Sequence, residues 1–377
     1  MIKNFTNNSK KVVVAMSGGV DSSVAAALLK EQGHDVIGVT MGLSCSSKSS
    51  DRGCCSFSAA ADAKKVADSL GFPHYTLNFK DEFRHYVIDN FIEEYKNGRT
   101  PNPCIRCNQF IKFDLLMKKA KELGADYVAT GHYARRRREI LNPKSEILNN
   151  HQNSNYKLLK GKDSKKDQSY VLYTMNQEAL AHTLFPLGDL TKQEVRKIAR
   201  ELELPVAEKE ESQEICFVEE DDYGRFIREA IPKTVKPGDI VDKAGKVVGR
   251  HEGIAFYTIG QRKGVGAHQG NPKYVVAIDR GNNQIVIGDQ EDLLAKELLA
   301  EQVSFISEKL PTGHLEVAAK IRYNAAEAKA VVYLEHGAKN TEHRARVVFE
   351  KPQKAITPGQ SAVFYKGDEV VGGGIIN

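Results

Sequence analysis

Ser17-Gly18-Gly19-Val20-Asp21-Ser22-Ser23 stands between an apolar run, Lys11–Met16, and an amphipathic stretch, Asp21–Gln32. Adjacent glycines let a backbone approach an anion closely, and successive N–H groups backed by a helix N-terminus cradle phosphate. The hydroxyls of Ser17, Ser22 and Ser23 surround the glycines. No Lys-Ser or Lys-Thr follows at Walker A spacing, and the loop is not a dinucleotide G-x-G-x-x-G. Phosphate binding is the chemistry this loop offers; a plain glycine turn capped by Asp21 is the bland alternative.

The second group is sulfur. The six cysteines are Cys45, Cys54, Cys55, Cys104, Cys107 and Cys216. The start of the chain reads as a short strand leading into the glycine loop, not as an export signal, so a reducing, cytoplasmic setting is expected and permanent disulfides are not. Thr100-Pro101-Asn102-Pro103-Cys104-Ile105-Arg106-Cys107-Asn108 reads as a proline-stiffened loop before a helix, Asn108–Leu123. Asn108 would cap that helix, and its dipole would lower the pKa of Cys107. A lone cysteine is often a small buried hydrophobe. The polar, constrained loop argues against that for Cys104 and Cys107, while Cys216 by itself is evenly balanced. Cys54 and Cys55 are neighbours and cannot easily chelate one ion together, and spacings for a structural zinc are otherwise missing.

These groups need a frame. Lys11–Met16, Asp35–Met41, His74–Phe79 and Ala125–Thr130 read as strands. Asp21–Gln32, Ser58–Leu70, Asp81–Lys96 and Asn108–Leu123 read as helices between them, with another over Thr191–Leu202 capped by Thr191. Such alternation predicts an α/β fold with a doubly wound parallel sheet, whose ligands bind beyond the strands' carboxyl ends. Arg135–Arg138, followed by an Asn/Ser/Lys-rich stretch to Lys166, reads as a flexible basic insertion or hairpin suited to phosphate contact. Beyond Val218, short β-branched runs separated by turn signals such as Pro237-Gly238-Asp239 predict a small β-rich central domain and a C-terminal β-barrel. The expected domains are 1–218, 219–296 and 297–377. With 54 Lys+Arg against 49 Asp+Glu, the net charge of +5 permits a polyanionic partner without demanding one. No run approaches the ~18 apolar residues of a membrane span.

The glycine loop resembles the PP-loop of the ATP pyrophosphatase superfamily, and the whole chain resembles the tRNA-specific 2-thiouridylase family. The matching segments are AMSGGVDSS (Ala15–Ser23), RGCCS (Arg52–Ser56), GRTPNPCIRCN with IKF after it (Gly98–Phe113), ATGHYAR (Ala129–Arg135), KDQSYVLY (Lys166–Tyr173), SQEICFV (Ser212–Val218), YTIGQRKG (Tyr257–Gly264), KIRYN (Lys320–Asn324) and TPGQS (Thr357–Ser361). They run through nearly the full length in the family's order.

The resemblance implies ATP-dependent 2-thiolation of the tRNA wobble uridine, with ATP and Mg²⁺ as the reacting nucleotide and metal. ATP would contact Ala15, Met16, Ser17, Gly18, Gly19, Val20, Asp21 and Ser22, with Met41 and Gly131 at the adenine. Uridine O2 is adenylated, a persulfide on Cys216 supplies sulfur to C2, and Cys107 is the second catalytic cysteine. The persulfide would come from a cysteine desulfurase or a sulfur-relay protein. The resemblance places Asn102, Pro103 and Cys104 at the flipped base, and His132, Lys166, Asp167, Gln168, Arg322, Tyr323 and Gln360 against the anticodon stem-loop. Cys104 stands where some members have Asp. With Cys107 and Cys216 it makes three thiolates that could hold a [4Fe–4S] cluster, an alternative route to the same product. Another PP-loop adenylating ligase and a non-catalytic RNA-binding protein are the competing readings.

The thiols separate the two sulfur routes. With the persulfide, Cys107→Ser and Cys216→Ser each block thiolation while Cys104→Ser is tolerated. With the cluster, all three substitutions are lethal and anaerobically prepared protein carries iron; activity assays beside iron analysis decide.

Overall fold

Val12, Val13 and Val14 have no solvent exposure, because their strand is the middle of a sheet covered on both faces. The computed structural model describes residues 9–43, 57–140, 154–211, 215–218, 222–232, 235–265, 272–307, 313–336 and 343–377. Its first sheet has five strands in the order β3 (His74–Asn78), β2 (Asp35–Gly42), β1 (Lys11–Ala15), β4 (Tyr127–Ala129) and Thr183–Leu184. Every neighbouring pair is parallel.

Alternate side chains of β1 serve opposite cores. Val12 and Val14 pack with Val24 and Ala25 of helix α1 (Val20–Glu31), Val66, Val195 and Ala199. Val13 and Ala15 join Phe83, Phe91, Ile111 and Leu116 on the other face. Full burial of each valine side chain is worth about 1.5–3 kcal/mol. The run is therefore uniformly apolar rather than alternating, as buried parallel strands are. This is the doubly wound α/β domain expected.

The cysteine helix departs from expectation. Helical turns begin at Pro103, not at Asn108, and continue through wide π-type turns over Cys107–Leu115 to Glu122. Asn102 is the cap: its side chain accepts the Cys104 N–H at 3.1 Å. Pro103 fills the first helical position, where a missing N–H costs nothing. The prolines that read as a stiff loop thus start the helix. Cys104, not Cys107, lies in its first turn. Asn108 is buried inside, and its Nδ2 donates to the Val171 carbonyl at 3.0 Å.

The basic insertion is a hairpin. Ala134–Ile140 and Ser154–Lys160 pair antiparallel, and the second strand adds itself to the C-terminal barrel through Leu158↔Val370 and Leu159↔Glu369. The barrel has six antiparallel strands: Leu294–Phe305, His314–Lys320, Ala328–His336, His343–Lys354, Ser361–Lys366 and Glu369–Ile376. Pairing of the first with the last closes it. Between the two lies a four-stranded sheet, Gly238–Asp242, Val247–His251, Tyr274–Asp279 and Gln284–Gly288. Its core is Ile240, Val265, Val275, Ile285 and Ile287.

Two arginines of the basic run also make contacts within the protein. Arg135 donates to the Lys160 carbonyl at 2.7 Å and to Asp368 at 3.0 Å. Arg136 donates to the carbonyls of Leu180 and Ala181 at 2.8 and 2.7 Å, with its guanidinium over the Tyr156 ring. Arg137 and Arg138 are exposed. Because Arg136 satisfies two carbonyls at the end of a helix, Arg136→Leu should destabilise the protein by about 2–4 kcal/mol in a denaturant melt. An unchanged melt removes this role.

Candidate nucleotide and thiol site

The glycine loop leaves the carboxyl end of β1 and folds onto the first turn of α1. Ser22 Oγ accepts the Ser17 N–H at 3.1 Å and donates to the Gly19 carbonyl at 3.2 Å, and Ser23 Oγ donates to the same carbonyl at 2.9 Å. Gly18 has φ +68°, and a Cβ there would lie 2.1 Å from the Ala59 carbonyl oxygen. Only glycine fits both the backbone and the space. Gly131, just past β4, is also tightly packed: its Cβ would stand 2.8 Å from the Ser22 nitrogen. Met16 and Met41 are buried at the ends of β1 and β2, joined where Thr40 Oγ1 donates to the Met16 carbonyl at 2.9 Å. Ala15 through Ser22, Met41 and Gly131 therefore share the carboxyl edge of the sheet, where such folds bind ligands.

A chain of charges crosses this edge. Lys192 Nζ reaches both oxygens of Asp21, at 2.7 and 2.8 Å, and Glu211 at 2.8 Å. Tyr133 donates its hydroxyl to Asp21 at 2.7 Å. Lys166 pairs with the other oxygen of Glu211 at 2.6 Å. Lys209 Nζ sits on the Gly18 carbonyl at 3.0 Å and on Asp62 at 2.7 Å. Burial works against the charge on Glu211, but the hydrogen bonds from Lys166 and Lys192 outweigh it and hold its carboxyl down to about 2. Burial, then the charge of Asp21, pushes the Tyr133 hydroxyl above its usual range. Lys192, Lys209, Glu211 and Tyr133 escape a sequence reading, since Lys192 and Asp21 are 171 positions apart. The one local signal is that Lys192 directly follows the Thr191 cap.

The thiols lie beside the same core. Cys107 is buried in the cluster that contains Ala15 and Met41, and Ile215 and Phe217, flanking the exposed Cys216, pack against it. Phe217 meets the rings of Phe83 and Phe91 edge-on at 5.7 and 5.2 Å. Cys104 is exposed at the start of its helix. Among the described residues no three His, Cys, Asp or Glu side chains come together as a metal site. As placed, Cys104, Cys107 and Cys216 do not fit a three-thiolate cluster. Cys45, Cys54, Cys55 and Ser212, Gln213 and Glu214 lie outside the described residues.

The residues expected against RNA divide. Asn102 and Pro103 form the helix cap, and Arg322 is exposed on the barrel. Tyr323 donates to the Asp167 carbonyl at 3.2 Å; burial, then the charges of Asp167 and Cys104, raise its hydroxyl pKa. Lys320 lies over the Tyr323 ring at 5.7 Å. Other residues face inward. His132 is buried between Phe113 and Phe185, bonded to Thr130 at 2.6 Å, and burial keeps its pKa well below the usual value. Asp167 accepts the N–H groups of Gly161 and Ser169, and Gln168 accepts the Tyr133 N–H. Gln360 donates to the Thr100 carbonyl at 2.8 Å.

Residues 10–220 match the tRNA methyl transferase HUP domain, 224–289 the tRNA methyl transferase PRC-barrel domain, and 295–376 the aminomethyltransferase β-barrel domain. The chain is similar to the tRNA-specific 2-thiouridylase MnmA of Clostridium acetobutylicum, 53% identical over 98% of this chain and 99% of that one. To the protein of the same name from Acetivibrio thermocellus it is 52% identical, over 98% and 99%. To that from Clostridium perfringens it is 51% identical, over 97% and 98%.

The charge chain has a signature in acid. Glu211's folded pKa lies below its ordinary 4.5, so its ion pairs stabilise fully above pH 4.5 and the effect fades as pH falls toward about 2. Thermal melts across that window should fall less steeply for Glu211→Gln than for the wild type. Parallel curves would place Glu211 outside the network.

Proposed function

The chain belongs to the tRNA-specific 2-thiouridylase family, and on that premise we propose that it is a tRNA-uridine 2-sulfurtransferase acting on the wobble uridine. The substrate nucleotide is MgATP, held at Ser17–Ser22 with Lys192 and Lys209 beside the phosphates. Uridine O2 attacks the α-phosphorus, pyrophosphate leaves, and C2 acquires adenylate as a leaving group. The terminal sulfur of a Cys216 persulfide then attacks C2 and AMP departs. Cys107 attacks the Cys216 sulfur, which frees the 2-thiouridine and leaves a Cys107–Cys216 disulfide for an external thiol to reduce.

The observation that carries this reading is the single apolar cluster joining Ala15, Met41 and Cys107 to the residues on either side of Cys216. Cys107 and the neighbours of Cys216 thereby share one face of the sheet with Ala15 and Met41 of the nucleotide edge, while Met16 and Val20 of the loop itself pack on the other face. The target base has to leave its stack to reach them, which is cheap in an anticodon loop. Asn102, Pro103, Cys104, Arg322 and Tyr323 are the residues we propose to meet it. Residues 1–218 serve as the adenylating unit, 219–296 as the bridge and 297–377 as the RNA-binding barrel. Among the described residues no helix is long and apolar enough to cross a membrane; we assign the protein to the cytoplasm. A cysteine desulfurase or relay protein supplies the persulfide.

The test is mass spectrometry of an anticodon stem-loop incubated with the protein, ATP, Mg²⁺ and a persulfide donor. Sulfur should replace one oxygen of the wobble uridine, with AMP formed in equal amount. RNA affinity should fall linearly on a log–log salt plot, with a slope set by the phosphates contacted. Pyrophosphate release driven by a small carboxylic acid, with unaltered RNA, would make the protein another adenylating ligase instead.

A further inference from the structure

Thr100 spends each of its polar groups on another part of the molecule. Its N–H donates to the Pro358 carbonyl at 2.8 Å, and its carbonyl accepts the Gln360 amide at 2.8 Å, both from the barrel. Its hydroxyl meets the Thr258 hydroxyl of the central domain at 2.9 Å. The fit allows no slack. Gly359 has φ +91°, and a Cβ there would lie 2.8–3.0 Å from Thr100 backbone atoms. Gly98 has φ +68°, and its Cβ would stand 2.6 Å from Ile278 of the central domain. Next to Thr100, Arg99 donates to Asn377 at 2.8 Å and to the Ile376 carbonyl at 3.0 Å, at the end of the barrel's last strand.

The Asn102 cap that starts the cysteine helix follows at once. Pro101 and Pro103 fix two of the three φ angles between Thr100 and Cys104. A shift at Thr100 therefore passes to the helix start with little rotation to absorb it. Contacts that only glued domains together would gain nothing from converging on one residue at this point.

We propose that Thr258 and Gln360 are positioning residues of a three-domain latch on Thr100 that sets the Cys104–Cys107 turn against the nucleotide edge. The inference rests on the thiolation reading and gives the two β-rich domains a share in the thiol step beyond holding RNA. It also gives the Gln360 amide a protein partner in place of an RNA one. Small misplacements of reacting groups cost rate steeply, on the order of a hundredfold for 1 Å.

The test uses the full-length protein with Thr258→Val, Thr258→Ser and Gln360→Leu. Four quantities are read: pyrophosphate release, RNA dissociation constant, single-turnover formation of 2-thiouridine, and the rate at which iodoacetamide alkylates Cys107. Thr258→Val and Gln360→Leu should slow 2-thiouridine formation about tenfold or more, with pyrophosphate release and RNA affinity within about twofold of wild type. Alkylation of the buried Cys107 should speed up, and Thr258→Ser should restore all four values. A parallel loss of pyrophosphate release would show a general loss of structure and overturn the latch. So would weaker RNA binding with normal turnover of bound RNA, which would return Gln360 to the RNA surface, and so would no change at all. If wild-type protein forms no 2-thiouridine, the thiolation reading fails; the Cys107 alkylation rates then still decide whether the latch holds the helix.

Discussion

The carboxylate of Asp21 is where the functional edge of the sheet is tied together. It opens helix α1, and Lys192 and Tyr133 reach it from segments far along the chain. Lys192 is largely buried, so its three N–H donors are all committed to Asp21 and Glu211. A cation so enclosed needs its counter-charges, because an unpaired buried charge is far more costly than a pair is beneficial. The glycine loop, the 161–168 turn that carries Lys166, and the approach to Cys216 are consequently held by one set of ion pairs. A triphosphate arriving here would enter an electrostatically balanced site and exchange one anion for another at Lys192.

The second organising feature is the way the barrel is built into the α/β domain. Ala134–Ile140, which follows β4, pairs with Ser154–Lys160, and the two are added as further strands to the barrel. Tyr170 and Tyr173, next to that hairpin, donate to or pair with Ser361 inside the barrel. Burial accounts for the raised pKa of both hydroxyls. Arg322 and Tyr323 are thereby set relative to Cys104 by shared strands and buried hydrogen bonds.

Much of this was legible in the chain. Lys11–Ala15 is apolar at every position that a strand buried on both faces requires, and the helices between the strands carry their apolar residues at helical spacing. The serines and glycines of residues 17–23 point to an anion site, because hydroxyls crowd around a backbone that glycine leaves open to close approach. Cys104, Cys107 and Cys216 stand out by type and context, though not by mutual distance. The start of the cysteine helix was misread because a proline pair looks the same whether it ends a loop or occupies a helix's first position. The Asn102 side chain settles it.

What the sequence determined by itself is local: which segments are strands, which loop can cradle phosphate, which thiols are candidates, and through its run of motifs the family. The tertiary structure decided which of the named side chains are available. Arg136, His132 and Gln360 have polar ends that suit RNA, yet each is occupied within the protein. Nothing near Lys192, Glu211 or Thr258 in the sequence names its partner, yet each meets a site segment. The reason is physical: a side chain's partner is set by where the fold brings distant chain segments together. The Thr100 contacts span 158 and 260 positions, far beyond the one or two turns over which sequence spacing reports contact.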